Sequence, residues 1–173
     1  MSAPDPSQHP AQLDEAALLA QCEVQRTRRS GPGGQHRNKV ESAIVLTHLP
    51  TGVISEASER RSQHENRQVA IRRLRVLLAV CVRQTPSVAT TPSELWQSRC
   101  ARGRIVCSVE HDDFPALLAE ALDALAYAGW EPREASERLG CTSSQLVRFV
   151  KLEPAAFTEL NRQRSELGLH PLH

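Results

Sequence analysis

Two β-branched, apolar runs separated by a short turn constrain the fold of this chain more than any other feature. The runs are residues 43–49 and 53–57, and Pro50-Thr51-Gly52 lies between them. A proline presets φ for a turn and a glycine permits positive φ, so this spacing predicts an antiparallel hairpin.

Further elements are predicted on both sides of the hairpin. Partial alternation over residues 22–28 indicates a third strand, and the composition of residues 13–20 favours a short helix. A longer helix is predicted to begin at Ser62, which stands three residues before Glu65 in a capping box, and to end near Arg83. Its apolar stripe consists of Ala70, Ile71, Leu74, Leu77, Leu78 and Cys81.

These elements predict a chain of two folded parts. Residues 13–83 would form an α+β domain in which a three-stranded sheet is covered by one long helix, preceded by a flexible, proline-containing terminus over residues 1–12. Residues 84–112 are at first rich in Thr, Ser and Pro and predict mainly a linker, with a short strand near 105–109. Residues 113–173 carry repeated helix start and stop signals and predict an all-α, helix-turn-helix-like module.

Charge is distributed unevenly along the chain. Residues 1–83 carry 12 Lys and Arg against 8 Asp and Glu, whereas residues 84–173 carry 9 against 12, so we expect the two halves to meet different partners. Aromatic residues make up only 3% of the chain, too few for the stacking platforms that hold single-stranded RNA. An RNA partner would therefore be held through its phosphates. The sequence offers neither the roughly 18-residue apolar run of a membrane span nor a targeting pattern, and we expect a cytoplasmic protein.

The five cysteines are odd in number and include no Cys-x-x-Cys pair. They suit neither a disulfide framework nor a common zinc site, and we expect reduced, mostly buried thiols. Cys100, Cys107 and His111 could be grouped as metal ligands, but their spacing matches no common template.

A glycine-rich segment, Gly-Pro-Gly-Gly-Gln-His-Arg-Asn-Lys, occupies residues 31–39. The adjacent Gly33 and Gly34 let the backbone adopt positive φ and approach a ligand without Cβ clashes. By composition alone the segment could equally be a flexible turn.

Five motifs occur in a fixed order in and after this segment. They are Gly31-Pro32-Gly33-Gly34-Gln35-His36, Asn38-Lys39, Ser42-Ala43, Thr47-His48-Leu49-Pro50-Thr51-Gly52 and Arg61-Ser62-Gln63-His64-Glu65-Asn66. Together they resemble the catalytic domain of class I peptide chain release factors and of the short ribosome-rescue proteins related to them, over about residues 22–80. Arg29 and Arg37 depart from that family, which usually has a small residue and a Val or Ile there. Both departures add positive charge, which is tolerable beside ribosomal RNA.

The resemblance implies hydrolysis of the peptidyl-tRNA ester on the ribosome by Gly33, Gly34 and Gln35. The glycines would let the loop enter the peptidyl transferase centre of the large subunit, and the backbone N–H of Gln35 would donate to the developing oxyanion or the departing ribose oxygen. A glutamine amide has no pKa near neutrality and cannot be a general base, so its contribution is positional and electrostatic. No metal or organic cofactor is expected. Family members are often methylated on this glutamine, which makes a glutamine methyltransferase a conceivable partner of Gln35.

Basic side chains flank the loop and the start of the long helix. At that helix start, Arg61, Gln63 and Asn66 match a family signature. For these residues, a role in stabilising the fold and a role in contacting RNA are equally supported. His36 could be imagined as a base, but we favour a loop-packing or RNA-contacting role, and Asn38 suits the closing of a turn. The residues predicted to contact RNA phosphates are Arg26, Arg28, Arg29, Arg37, Lys39 and Arg61.

Residues 135–148 resemble the two core helices of bacterial helix-turn-helix proteins. A DNA reader would expose basic and amide groups on the second helix. Residues 113–173 carry 6 Lys and Arg against 9 Asp and Glu, which would attract phosphates poorly, so we favour a docking or RNA-surface module. The side chains available for reading are Ser143, Ser144, Gln145, Arg148 and Lys151.

The predicted function is codon-independent peptide release or ribosome rescue. Residues 1–21 are too short to house the codon-reading domains of full-length termination factors. A non-catalytic ribosome-binding or RNA-binding protein that keeps the loop as a relic is the first alternative, and the intact Gly33-Gly34-Gln35 argues against it. A DNA-binding regulator is the second, and the acidic C-terminal half argues against it. Termination, rescue of stalled complexes and action on split large subunits all remain open at this stage.

Overall fold

A computed structural model of the chain describes residues 8–27, 43–84 and 92–173. The chain divides into two compact units, Met1–Cys81 and Val82–His173. Each unit has its own core and is described separately below.

The first unit is an antiparallel sheet covered by one helix, which confirms the predicted α+β class. Its strands lie in the order β1-β2-β3, and β2 pairs with both neighbours. The elements are a 3₁₀ turn at Pro10–Gln12, helix α1 at Glu15–Ala20, strand β1 at Cys22–Thr27, strand β2 at Ala43–His48, strand β3 at Ile54–Ala57 and helix α2 at Gln63–Cys81.

The core of this unit lies between α2 and the strands β2 and β3. The helix buries most of the predicted apolar stripe, with Ala70, Leu74 and Leu78 fully buried. Leu77 is only half-buried and Cys81 is exposed. Ser55 on β3 is buried as well, and its hydroxyl donates to the Ala70 carbonyl at 2.8 Å. This bond satisfies a polar group inside the core and fixes the helix against the sheet. Gly52, with φ of +70°, closes the predicted turn between β2 and β3.

The segment before α1 is packed where the sequence predicts a flexible terminus. Ala11 and Leu13 are buried, and His9 caps the 3₁₀ turn by accepting from the Ala11 N–H at 3.0 Å. Arg75 on α2 donates to the Leu13 carbonyl. Residues 9–13 are therefore part of the first unit, because their apolar side chains are covered by α2.

The second unit is built around one apolar helix. Almost every side chain of α4 is buried, including Phe114, Leu118, Leu122 and Leu125. Among residues 8–27, 43–84 and 92–173, no helix is both long and apolar enough to span a membrane. The elements of this unit are α3 at Glu94–Arg99, β4 at Cys100–Ala101, β5 at Arg104–Ile105, α4 at Phe114–Tyr127, α5 at Pro132–Leu139, α6 at Ser143–Val150 and α7 at Pro154–Glu166.

The turn between α5 and α6 follows the signals in the sequence. Gly140 ends α5 in the left-handed region with φ of +67°, as expected for a glycine after a helix. Thr142 caps α6 by accepting from the Gln145 N–H at 3.3 Å. The Thr142 N–H donates to the Gly103 carbonyl at 3.2 Å, so a neighbouring hairpin supplies an acceptor for this N–H.

Residues 92–112 contain more structure than the linker that the sequence predicts. They hold α3 and the two-stranded β4–β5 hairpin, whose second strand is shorter than the expected strand near 105–109. Trp96 is 1% exposed, and its indole N–H donates to the Leu139 carbonyl at 2.8 Å. Burial of this ring against α5 and α6 makes residues 92–112 part of the second unit.

Candidate functional site

The glycine loop joins two strand ends that face each other. Thr27 at the end of β1 pairs with Ala43 at the start of β2, so residues 28–42 connect directly opposite positions of the ladder. Both ends of the candidate catalytic loop therefore start from one end of the sheet. The predicted residues that lie in this connection, outside the described residues, are Gly33, Gly34, Gln35, Arg28, Arg29, Arg37 and Lys39.

Two of the predicted RNA contacts originate at this same end of the sheet. Arg26, Ile44 and Ala57 lie in one row across β1, β2 and β3, one residue pair from the loop ends. Arg26 is exposed on the edge strand. From Ala57 the chain runs through a short connection to the start of α2, where Arg61 is also exposed. Two exposed arginine side chains are thus available near the loop ends for phosphate contact.

Asn66 holds the connection between β3 and α2 in place. Its side chain is fully buried; Oδ1 accepts from the Arg60 N–H at 2.9 Å, and Nδ2 donates to the Arg60 carbonyl at 3.0 Å. Both hydrogen-bonding groups of one backbone residue are satisfied by a single amide. The sequence leaves Asn66 between a structural and an RNA-contacting role, and the geometry gives it the structural one.

Arg73 also holds the connection between β3 and α2 in place. Arg73 on α2 donates to the Glu56 carbonyl at 2.8 Å and pairs with the Glu59 carboxylate at 2.6 Å. The pKa of Glu59 is lowered, first by hydrogen bonds from the Ser58 and Glu59 N–H groups and then by Arg73. Sequence reasoning assigns no role to Arg73, because its partners on the β3 end become neighbours only when the helix folds back over the sheet.

His48 has a corresponding role at the opposite end of the sheet. It is 1% exposed; Nδ1 lies 2.7 Å from Thr51 Oγ1 and Nε2 lies 3.0 Å from Gln21 Oε1. Burial lowers the pKa of this imidazole, and a neutral ring fits both contacts if Nε2 donates and Nδ1 accepts. The motif containing His48 and Thr51 therefore stabilises the turn after β2, away from the loop.

The cysteines are free but less buried than the sequence predicts. Cys81 is exposed, and Cys22, Cys100, Cys107 and Cys141 are half-buried. Burial raises the pKa of the Cys141 thiol to about 12. His111 contacts Arg99 through Nε2 at 3.0 Å and accepts from the Asp113 N–H through Nδ1 at 3.1 Å. In the described part of the chain, no three His, Cys, Asp or Glu side chains are grouped to hold a metal ion.

The candidate reading helix α6 presents only some of the side chains considered from the sequence. Ser143 is turned toward α5, since its hydroxyl lies 3.0 Å from that of Ser136. Ser144, Arg148 and Lys151 are exposed. These three positions fall on one helical face. Lys151 lies 5.0 Å from the centre of the Phe157 ring.

Comparison with known proteins gives a family match that covers most of the first unit and the start of the second. The family model described as RF-1 domain matches residues 17–103. Peptide chain release factor 1 of Xylella fastidiosa (strain 9a5c) is 49% identical over 70 residues, which cover 40% of this chain and 19% of that relative. The chain thus spans about a fifth of the length of this curated relative. Because the family model covers half of the chain, this protein belongs to the RF-1 domain family.

Proposed function

We propose that this protein hydrolyses the ester of peptidyl-tRNA on the ribosome, without reading a codon. The observation that carries the proposal is the placement of the Gly33-Gly34-Gln35 sequence in the connection between Thr27 and Ala43 of an RF-1 domain. The relative named peptide chain release factor 1 supports the reaction class.

The chemistry follows from what the loop residues can supply. Attack of water on an ester carbonyl builds negative charge on its oxygen, and a backbone N–H placed within about 3 Å of that oxygen lowers the barrier. The Gln35 N–H would supply this donor. Two adjacent glycines allow the backbone to come that close to the tRNA end, since neither carries a Cβ. The Gln35 amide would shape the space for the water molecule and would not remove its proton.

The charge of the first unit supports an RNA partner. Arg26 and Arg61 are exposed at the end of the sheet from which the loop starts. Four further basic residues lie within the connecting segment itself: Arg28, Arg29, Arg37 and Lys39. Each can neutralise one phosphate as the loop approaches the large-subunit RNA and the tRNA.

The described residues before β1 belong to the first unit, because the side chains of His9, Ala11, Leu13 and Leu18 are buried there. We propose that the occasion is rescue or release on any complex whose peptidyl-tRNA is accessible. We also propose that Gln35 is a substrate for a glutamine methyltransferase, which mass spectrometry of the peptide containing Gln35 would test.

The experiment is release of a labelled peptide from ribosomes stalled on messenger RNAs of different lengths. Stop and sense codons in the A site are expected to give equal rates, and complexes with an empty mRNA channel are expected to be substrates. A strong preference for one stop codon would contradict codon independence. Absence of release from every complex, together with tight ribosome binding, would favour the non-catalytic alternative.

A further inference from the structure

The cations of the second unit differ in whether they have a partner. Most have an acidic or aromatic partner, and the pairs are Arg83 with Asp123, Arg99 with Asp113, Arg133 with Glu137, Arg162 with Glu159 and Glu166, Arg164 with Glu131, Arg138 with the Tyr127 ring, and Lys151 with the Phe157 ring. Within the described part of this unit, Arg102, Arg104 and Arg148 have neither an acidic nor an aromatic partner. Although the net charge of the unit is negative, these three guanidinium groups are therefore not neutralised by a neighbouring side chain.

Arg102 and Arg104 belong to the β4–β5 hairpin, which lies next to α6. Arg102 and Gly103 form its turn, with φ of +52° and +73°. The Gly103 carbonyl accepts from the Thr142 N–H at 3.2 Å, and the Cys100 thiol contacts the Gly140 carbonyl at 3.7 Å. The hairpin is thus fixed by hydrogen bonds to the turn between α5 and α6.

A groove of about 330 Å³ lies between β5 with the residues that follow it and α6. Arg104 and Arg148 line it from the two elements, and Gln145 and Ser108 add hydrogen-bond donors. Val106, which is 62% exposed, contributes apolar surface. None of the residues that line this groove is acidic.

The basic surface continues along the outer face of α6. A second cavity, of about 550 Å³, is lined by Arg148 together with Arg133, Ser144 and Lys151. Glu131 is the acidic side chain in its lining, and it pairs with Arg164 at 3.3 Å. Arg148 therefore lies between two adjoining depressions on one side of the unit.

We propose that the groove between β5 and α6 binds the phosphate backbone of RNA, with Arg104 and Arg148 as its principal cations. A guanidinium group can donate two parallel hydrogen bonds to one phosphate, and Gln145 and Ser108 can complete the contact. The hairpin flanks α6, so α6 forms one wall of a concave surface. A DNA-reading helix must instead protrude into the major groove. The choice of RNA also rests on the proposed function, whereas the phosphate site rests on the groove alone.

The test uses the full-length protein and fluorescence anisotropy. The probes are a labelled RNA duplex of about 20 base pairs and a DNA duplex of the same sequence, each titrated between about 50 and 200 mM KCl. Arg104→Gln and Arg148→Gln are compared with Arg162→Gln, which removes the same charge from an arginine that already has acidic partners. Thermal unfolding of each variant provides the control for folding.

Each groove variant is expected to reduce the salt slope of RNA binding by about 1, and the double variant is expected to weaken binding roughly tenfold or more. Arg162→Gln should retain the wild-type slope. A folded double variant with wild-type affinity and slope would overturn the proposal. Tighter binding of the DNA duplex, weakened by the same two substitutions, would replace RNA with DNA as the occupant. Peptide release by the wild-type protein is scored separately, so a catalytically inactive protein that still shows the groove effect would overturn only the proposed function.

Discussion

Asn66 and Arg61 lie close together at the start of α2, yet their surroundings differ. Asn66 is buried and bonds both backbone groups of Arg60, whereas Arg61 is exposed. Asn66→Ala is therefore expected to lower the stability of the first unit, and Arg61→Ala is expected to weaken binding to ribosomes without changing stability.

The magnitude for Asn66→Ala follows from the two hydrogen bonds that are lost. Each contributes about 0.5–1.5 kcal/mol to folding, and a partner left buried without a replacement costs about 1–3 kcal/mol. Arg60 is exposed as a residue, so water can reach part of its backbone, and the expected loss is about 2–3 kcal/mol. For a unit of this size the melting temperature would fall by roughly 10–20 °C. Asn66→Asp keeps the acceptor but places a negative oxygen against the Arg60 carbonyl, and should cost at least as much.

Far-ultraviolet circular dichroism measures this change, and intrinsic fluorescence provides an internal reference. Trp96 and Trp130, the two tryptophans of the chain, both belong to the second unit. Asn66→Ala should lower the melting transition seen by circular dichroism more than the transition seen by tryptophan fluorescence. An Asn66→Ala protein that melts like the wild type but binds ribosomes weakly would refute the structural role of Asn66.

Two further predictions concern the second unit. Burial raises the pKa of Asp123 from its ordinary 3.8 to about 6, against the opposing effects of the Gln84 N–H and Arg83, so the unfolded state loses this proton first as pH rises. The free energy of unfolding of the wild type should then fall between about pH 4 and 6. Across that window, chemical denaturation should show the stability of Asp123→Asn rising by up to about 3 kcal/mol relative to that of the wild type. A stability difference between the two proteins that does not change with pH would contradict this assignment. Trp96→Phe removes the donor to the Leu139 carbonyl and should destabilise the second unit by about 1–3 kcal/mol. The fluorescence of the remaining tryptophan, Trp130, measures this change during denaturation. An unchanged denaturation midpoint would show that residues 92–112 do not stabilise this unit.

The predictable part of the fold is the part determined by neighbours in sequence. The turn at Pro50-Thr51-Gly52, the Ser62 cap and the stop at Gly140 are local signals, and the structure has an element boundary at each. Segment 92–112 is harder to predict, although Ser93 caps α3 there. Its strands are only two residues long, and its order comes mainly from the burial of Trp96.

The candidate site is predictable to a similar extent. The loop sequence predicts a chemistry, but the hydrogen bonds of Asn66 and Arg73 join residues that become neighbours only after folding. The basic groove could not be predicted from the sequence, for a different reason. Net charge counts every acidic residue equally, whereas several acidic residues of the second unit are paired with other cations, among them Asp113, Glu131, Glu137 and Glu159.

The Gly33-Gly34-Gln35 loop is proposed to catalyse peptide release. The most direct measurement is the single-turnover rate of labelled-peptide release from stalled ribosomes, at saturating protein, for the wild type and for Gly34→Ala with unchanged melting behaviour. We expect the wild type to release the peptide and Gly34→Ala to be slower by roughly 100-fold or more, as found when a transition-state donor is displaced. Equal rates for the two proteins would contradict the account.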